Sequence, residues 1–348
     1  MKNYTIFAAS ILAVFAINLF SDQIDPYYFT VLIFIGINII LATSLNLING
    51  YTGQFSLGHA GFMAIGAYTS ACIYCYFAPF FINTFGQGAF GNALTFTLML
   101  LLGGIAAAIV GLLVGIPSLR LKGDYLAIVT LGFSEIIRVI IQGVDTIGGS
   151  QGFRGVYIYE NGTKSLNMVP ELTGMSNQFY AIQGFTDFFW VYFLAIVCIF
   201  VIWNLVNSTY GRGFLAVKDD EVAAEAMGVN TTKFKVTAFV TGAFFAGIAG
   251  ALFAFFNKYI NPEDFNFLRS VEIVVMVILG GMGSMVGVII AAVVLTILPE
   301  LLREVAEYRM IIYALLLIIM MLLRPQGLFG IKIKPKKKTD KESDVEIT

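Results

Sequence analysis

Histidine, cysteine, tryptophan and charge are all scarce in this chain. Its 348 residues include one histidine, three cysteines and two tryptophans, and only 12% are charged. A single histidine, His59, cannot supply the His/Cys ligand sets that hold a structural or catalytic metal. Cys72, Cys75 and Cys198 all stand inside apolar runs. With no second pair and no flanking ligands, the C-x-x-C of the first two reads as membrane packing and not as a metal or redox site. No Ser/His/Asp arrangement is visible, and no G-x-x-x-x-G-K-[ST] phosphate loop occurs. The chain therefore has neither a catalytic constellation nor a nucleotide-hydrolysing site of its own. We expect no metal, no cofactor bound by this chain and no nucleic-acid partner.

What is abundant is apolar surface. The chain is 58% hydrophobic with a mean hydropathy of +0.83, whereas about a quarter of a soluble domain is charged. Several uncharged runs reach the roughly 20 residues a helix needs to cross about 30 Å of hydrocarbon. Candidate segments are 4–20, 27–49, 61–78, 93–116, 125–142, 188–206, 236–257, 270–281, 285–302 and 310–323. This predicts an all-α, polytopic helical membrane protein with about 8–10 spans, some broken or re-entrant. Residues 1–331 read as one transmembrane domain, and 332–348 as a basic, disordered tail. Lys2 precedes the first apolar run, but no convincing small-x-small cleavage site follows, so segment 4–20 reads as a span and not a signal peptide.

Lysine and arginine set the orientation. The tail carries lysines at 332, 334, 336, 337, 338 and 341, and the stretch 207–235 carries Arg212, Lys218, Lys233 and Lys235. Between Gly143 and Asp187 only Arg154 and Lys164 occur. Both termini and the loop 207–235 are thus expected in the cytoplasm, with 143–187 outside. A single crossing by 270–302 would put the tail outside. The break at Gly280, Gly281, Gly283 and Ser284 makes two short segments instead and restores the parity. Lys258, Arg269, Arg303 and Arg309 then fall outside, which counts against the arrangement.

Two irregular stretches are candidate translocation-path elements. One is Gly53, Gln54, Ser56, Gly58, His59 and Gly61, polar but without formal charge; the other is Gly280, Gly281, Gly283 and Ser284. Uncharged polar groups among glycines suit a re-entrant or pore-lining backbone. Close helix packing at a glycine seam, which Gly111-x-x-x-Gly115 also suggests, explains the glycines equally well. Glu135 and Arg138 lie three residues apart inside segment 125–142 and form a candidate intramembrane ion pair.

The stretch 207–235 contains a helix-like, charged segment between two lipid-compatible runs. Asp219 and Asp220 can start a helix and Gly228 can stop it. Val222, Ala223, Ala226 and Met227 then share one face, with Glu221 and Glu225 on the other. So short a helix is marginal alone, which points to a soluble docking partner.

The motifs GYTGQFSLGHAGFMAIGAYTSA (50–71), SLRLKGDYLAIVTLGFSEIIRVI (118–140), GGSQGFRG (148–155), GRGFLAVKDDEVAAEAMGV (211–229), LGGMGSMVG (279–287) and LLRPQGLFG (322–330) occur in that order. In this the chain resembles permeases of high-affinity branched-chain amino-acid ABC importers of the LivM type. The resemblance implies a second homologous permease subunit, two cytoplasmic ATP-binding subunits that bind ATP and Mg, and an extracytoplasmic substrate-binding protein. It also implies residence in a prokaryotic plasma membrane, in contact with its lipid. The Glu225-Ala226-x-Gly228 spacing is similar to the coupling motif of ABC permeases, although other importer classes have a longer pattern. Urea and short amides are alternative cargoes within the same family. A secondary transporter is the remaining alternative, without persuasive internal repeats to support it.

Overall fold

The computed structural model describes residues 25–86, 88–118, 123–167 and 176–302, together with 11, 12, 14–18, 308, 314, 315 and 318. Most of the candidate segments 4–20 and 310–323 and all of the tail 332–348 lie outside the described residues. Helix α1, Pro26–Asn46, starts where Asp25 accepts the Tyr27 amide at 2.8 Å and Pro26 occupies the first turn. It winds directly into a π-helical turn, Leu47–Tyr51. After an open stretch, α2 runs His59–Tyr76 and α3 runs Ala78–Phe85, bent 72° from α2. The chain continues as α4 (Ala89–Ser118), α5 (Asp124–Gln142), α6 (Phe188–Asn207), α7 (Thr209–Asp219), α8 (Glu221–Ala226), α9 (Thr231–Asn257), α10 (Phe267–Gly280) and α11 (Met285–Leu301).

Among the described residues, five helical stretches are long and apolar enough to cross a membrane, or six if the bent α2–α3 pair is one span. The protein is a multi-pass helical membrane protein. Its helices differ sharply in environment. The spans at Pro26–Tyr51 and Thr231–Asn257 are 83% and 78% buried, whereas Tyr125–Gln142 and Phe188–Asn207 are 33% and 22% buried. The first two form the interior, and the outer two present apolar side chains such as Ile128, Ile136 and Trp203 outward.

The interior packs by close backbone approach. Helices α2, α4 and α9 meet where a Cβ on Gly66 would lie 2.1 Å from the Gly247 carbonyl oxygen. A Cβ on Gly250 would lie 1.9 Å from the Met63 carbonyl, and one on Gly111 would lie 2.6 Å from the Ala243 Cβ. Apolar transfer gives little drive for helix association within lipid, so small residues gain dispersion by letting backbones touch. Phe62 against Phe239 and Phe96 against Phe255, both edge to face, fill the spaces beside the seam.

The last two helices are short, at 14 and 17 residues, and they fold back on each other. Ser284 caps α11 by accepting the Gly287 amide at 3.2 Å. Helix α11 runs antiparallel to α1, because Gly283 meets Asn46, Thr296 meets Asn38 and Glu300 meets Tyr27. The break at Gly281–Gly283 is thus the apex of a V, two short segments rather than a single crossing.

One part of the architecture departs from a purely helical reading. Within 143–187, β1 (Gly155–Tyr159), β2 (Lys164–Ser165) and β3 (Asn177–Ala181) form an antiparallel sheet in the order β2-β1-β3. Val156 pairs with Tyr180 and Tyr157 with Ser165. A bridge from Phe153 to Ile260, with N···O distances of 2.8 and 3.0 Å, ties this sheet to the connection after α9.

Candidate functional site

A chain of polar contacts runs the length of α1. At one end the Tyr27 hydroxyl donates to Glu300 Oε2 at 2.6 Å. Further along, Asn38 Nδ2 donates to Thr296 at 2.8 Å while its Oδ1 accepts from Arg269 Nη2 at 2.8 Å. Next come Ser44, 2.8 Å from His59 Nε2, and Asn46, whose Oδ1 accepts the Gly283 amide at 2.9 Å. The last contact is Lys218 Nζ donating to the Gly50 carbonyl at 2.7 Å. That lysine belongs to α7, so the loop 207–235 is bonded directly to the end of the membrane helix.

Around Gly50 the two glycine-rich stretches meet as a joint. A Cβ on Gly50 would stand 2.4 Å from the Gly283 amide nitrogen. Gly281 and Gly283 have φ of 97° and 90°, in the left-handed region that glycine enters without steric cost. The open backbone after the π turn is satisfied by side chains. Ser56 N donates to Asn49 Oδ1 at 3.1 Å and Leu57 N to Thr130 at 3.1 Å. Gly58 and Gly61 let this stretch lie on α5, since a Cβ at either would come within 2.5 and 2.9 Å of Thr130 and Ser134.

Of the sequence-predicted path residues, Gln54, Ser56, Gly58, His59, Gly61, Gly280 and Gly281 are buried within this subunit. Gly283 and Ser284 are half-buried and Gly53 is exposed, close to Lys218. Gln54 Nε2 and Oε1, Asn46 Nδ2 and His59 Nδ1 are buried with no hydrogen-bond partner among the described residues. Such atoms are costly where packing is otherwise complete, and they concentrate at this joint.

The loop 207–235 contains two helices where the sequence suggests one. Ser208 caps α7. Gly211 and Gly213 stay helical because close packing requires them: a Cβ would fall 1.6 Å from the Val206 carbonyl and 2.4 Å from the Phe234 ring. This corrects the role expected of Asp219, which is the last residue of α7 and does not start the next helix. Asp220 alone caps α8, accepting the Val222 and Ala223 amides at 2.9 and 3.0 Å. Gly228, with φ 81°, ends α8: its amide donates to Glu225 O and that of Val229 to Ala224 O. Glu221 pairs with Lys235 at 2.5 Å and Glu225 accepts from Thr231 at 2.6 Å, so both glutamates hold α8 to α9. Val222, Ala223, Ala226 and Met227 are exposed, and Ala224 is buried.

Glu135 and Arg138 are bonded at 2.8 Å, and Arg138 also reaches Glu263 at 2.8 Å, where Gln142 joins. The three cysteines are free thiols, buried or half-buried. Among the described residues, no group of three or more His, Cys, Asp or Glu could hold a metal ion. Sequence reasoning missed Asn38, Lys218, Arg269 and Thr296. Their one available signal is polarity: Asn38 and Thr296 interrupt apolar runs, and Lys218 and Arg269 enter only as charges for orientation.

Residues 27–322 match the family model described as branched-chain amino acid transport system, permease component. The chain belongs to this permease family. The permease is 37% identical over 312 residues to the high-affinity branched-chain amino acid transport system permease protein LivM of Salmonella typhimurium, covering 84% of this chain and 67% of the relative. It is 25% identical over 332 residues to the probable branched-chain amino acid transport permease protein LivM of Methanocaldococcus jannaschii, covering 86% and 92%. A shorter match, 32% over 142 residues, covers 40% of this chain and 45% of the Escherichia coli permease protein LivH. No solved structure matches the permease.

Proposed function

We propose that this permease is the membrane subunit of an ABC importer that moves leucine, isoleucine and valine inward, driven by ATP hydrolysis on separate subunits. Family membership and the names of its relatives support this cargo over urea or short amides. Its partners are a second, LivH-like permease, two cytoplasmic ATPases that bind ATP and Mg, and an extracytoplasmic substrate-binding protein. On this reading residues 207–235 and both termini are cytoplasmic, and 143–187 face outward. Strong labelling of a lone cysteine at position 336 by an impermeant reagent, added to intact cells from outside, would contradict that orientation.

The observation that carries the mechanism is the Lys218–Gly50 bond, at 2.7 Å. It joins the loop that would meet the ATPase to the joint where α1, α10 and α11 converge. In this mechanism α8 sits in a groove of the ATPase, with Val222, Ala223, Ala226 and Met227 facing it. Asp220 and Gly228 fix its ends, and Glu221 and Glu225 anchor it to α9. Movement of the ATPases then passes through α7 to the joint, and Gly53 to Gly61 with Gly280 to Ser284 change the path. Ala226→Trp tests this in the reconstituted complex. It should abolish substrate-stimulated ATP hydrolysis while the binding protein still docks, because Ala226 is exposed and a larger side chain leaves the fold intact. Undiminished stimulation would refute the coupling role.

A further inference from the structure

A cleft beside α1 has features the joint lacks. It encloses about 350 Å³ and is lined by residues of α1, α9, α10 and α11 and the turn before α10. Its polar residues are Asn38, Asp264, Arg269, Glu272, Thr296 and Glu300. Phe34, Phe253, Met276 and Leu295 form its apolar wall. Asn38 stands well inside the Pro26–Tyr51 span and is 4% exposed, so the Arg269 bonded to it lies at membrane depth. Ionisable groups there are expensive and belong where they meet a partner or a polar cavity.

We propose that this cleft is a transient binding station for one zwitterionic amino acid with an apolar side chain. The inference rests on the importer reading above and names a place on the route. Arg269 supplies the carboxylate contact. Its described bonds to Glu272 and Asn38, at 3.0 and 2.8 Å, occupy two of its five N–H donors. The rest of the planar fork suits a carboxylate. One cation faces three carboxylates in the lining, so the excess of negative charge favours the ammonium group. The apolar wall receives the branched side chain. A cleft of this size falls at the lower end of small-ligand pockets, about 300–1,000 Å³. It offers a few directed polar groups against an apolar face, as such pockets do. It reaches from the Tyr27–Glu300 contact, at the start of α1, inward to Asn38, which on the proposed orientation opens it to the side where the binding protein delivers cargo.

The test uses the complete importer in proteoliposomes, with labelled leucine and valine presented by its own binding protein. Leucine taken up per ATP hydrolysed is measured for Arg269→Met, Arg269→Lys, Leu295→Trp and Met276→Phe. Arg269→Met and Leu295→Trp should lower this yield by about tenfold, with binding-protein-stimulated hydrolysis kept. Arg269→Lys should recover part of the loss. Met276→Phe should lower the leucine-to-valine ratio by narrowing the apolar end, a change that damage to packing alone does not produce. Wild-type yield in Arg269→Met and Leu295→Trp would overturn the proposal. So would uptake and hydrolysis falling together in every variant with an unchanged leucine-to-valine ratio. Failure of the assembled wild type to take up leucine at all would instead refute the cargo assignment, and the station with it.

Discussion

The Pro26–Tyr51 span carries two polar clusters of opposite design, one around Gly50 and one around Asn38. At the Gly50 end one lysine and several uncharged side chains bond to backbone groups, packed so tightly that an added methyl group would collide with main-chain atoms. Around Asn38 and Arg269 the contacts join charged and amide side chains around open space. A tightly packed joint passes displacement on, because it cannot deform without moving its neighbours. A cleft with spare donors and acceptors holds a ligand. On the proposed mechanism the same span carries a transmitting part and a receiving part, with the Ser44–His59 contact between them.

Four substitutions would break or sharpen that contrast. The largest effect is expected from Gly58→Leu, whose side chain would enter the space held by the Thr130 carbonyl, 2.5 Å from the built Cβ. Overpacking of this kind costs about 1–3 kcal/mol or more. Uptake should be lost while most of the protein still reaches the membrane, measured by labelled-leucine uptake beside an immunoblot. Normal uptake would mean the joint tolerates slack.

Lys218→Met comes next. It removes the bond to Gly50 but keeps most of the stem, so stimulated hydrolysis should fall by about tenfold with ATPase docking retained. If stimulation persists, transmission runs through Glu221 and α9 instead. Thr296→Val, close in shape, removes a hydroxyl that accepts from Asn38 and donates to the Ala292 carbonyl; it should reduce uptake a few-fold, about the scale of neutral hydrogen bonds, without changing stimulated hydrolysis. A drop in hydrolysis would erase the distinction between the two clusters.

The smallest effect belongs to Glu135→Gln. Arg138 keeps Glu263 at 2.8 Å, and the pair is partly exposed, with side chains 21% and 29% accessible. A partly screened pair with a substitute partner contributes about 0–1 kcal/mol. The thermal midpoint in detergent should therefore shift by about 4 °C at most. A collapse of the fold would give this pair a weight that neither cluster shares.

The long spans of this permease are legible from composition and run length, because a span needs only a long, predominantly apolar stretch. The ends of α8 were also visible, since Asp220 and Gly228 act through local backbone chemistry. Asp219 was misplaced because adjacent aspartates look alike until the preceding helix is known. Helix α7 stayed hidden because Gly211 and Gly213 weaken any local propensity, and only contact with Val206 and Phe234 makes glycine necessary there. The sheet within 143–187 leaves no periodic signal in the sequence, because its strands are two to five residues long. The cleft was out of reach for another reason: Asn38 and Arg269 are 231 residues apart. Local pattern says nothing about pairs that only the fold brings together.

The seam of α2, α4 and α9 also decides how this permease should be probed. Alanine scanning assumes that alanine is the neutral choice, yet at Gly66, Gly247 and Gly250 the added methyl would sit within 2.5 Å of another helix. Lost transport after such a change would report a wedge driven between helices and not a residue the cargo touches. Paired changes that enlarge one helix and trim its neighbour, such as Gly111→Ala with Ala243→Gly, are the informative perturbation there. The same geometry implies that related sequences cross this seam by exchanging small residues between facing positions, so its history should be written in correlated pairs.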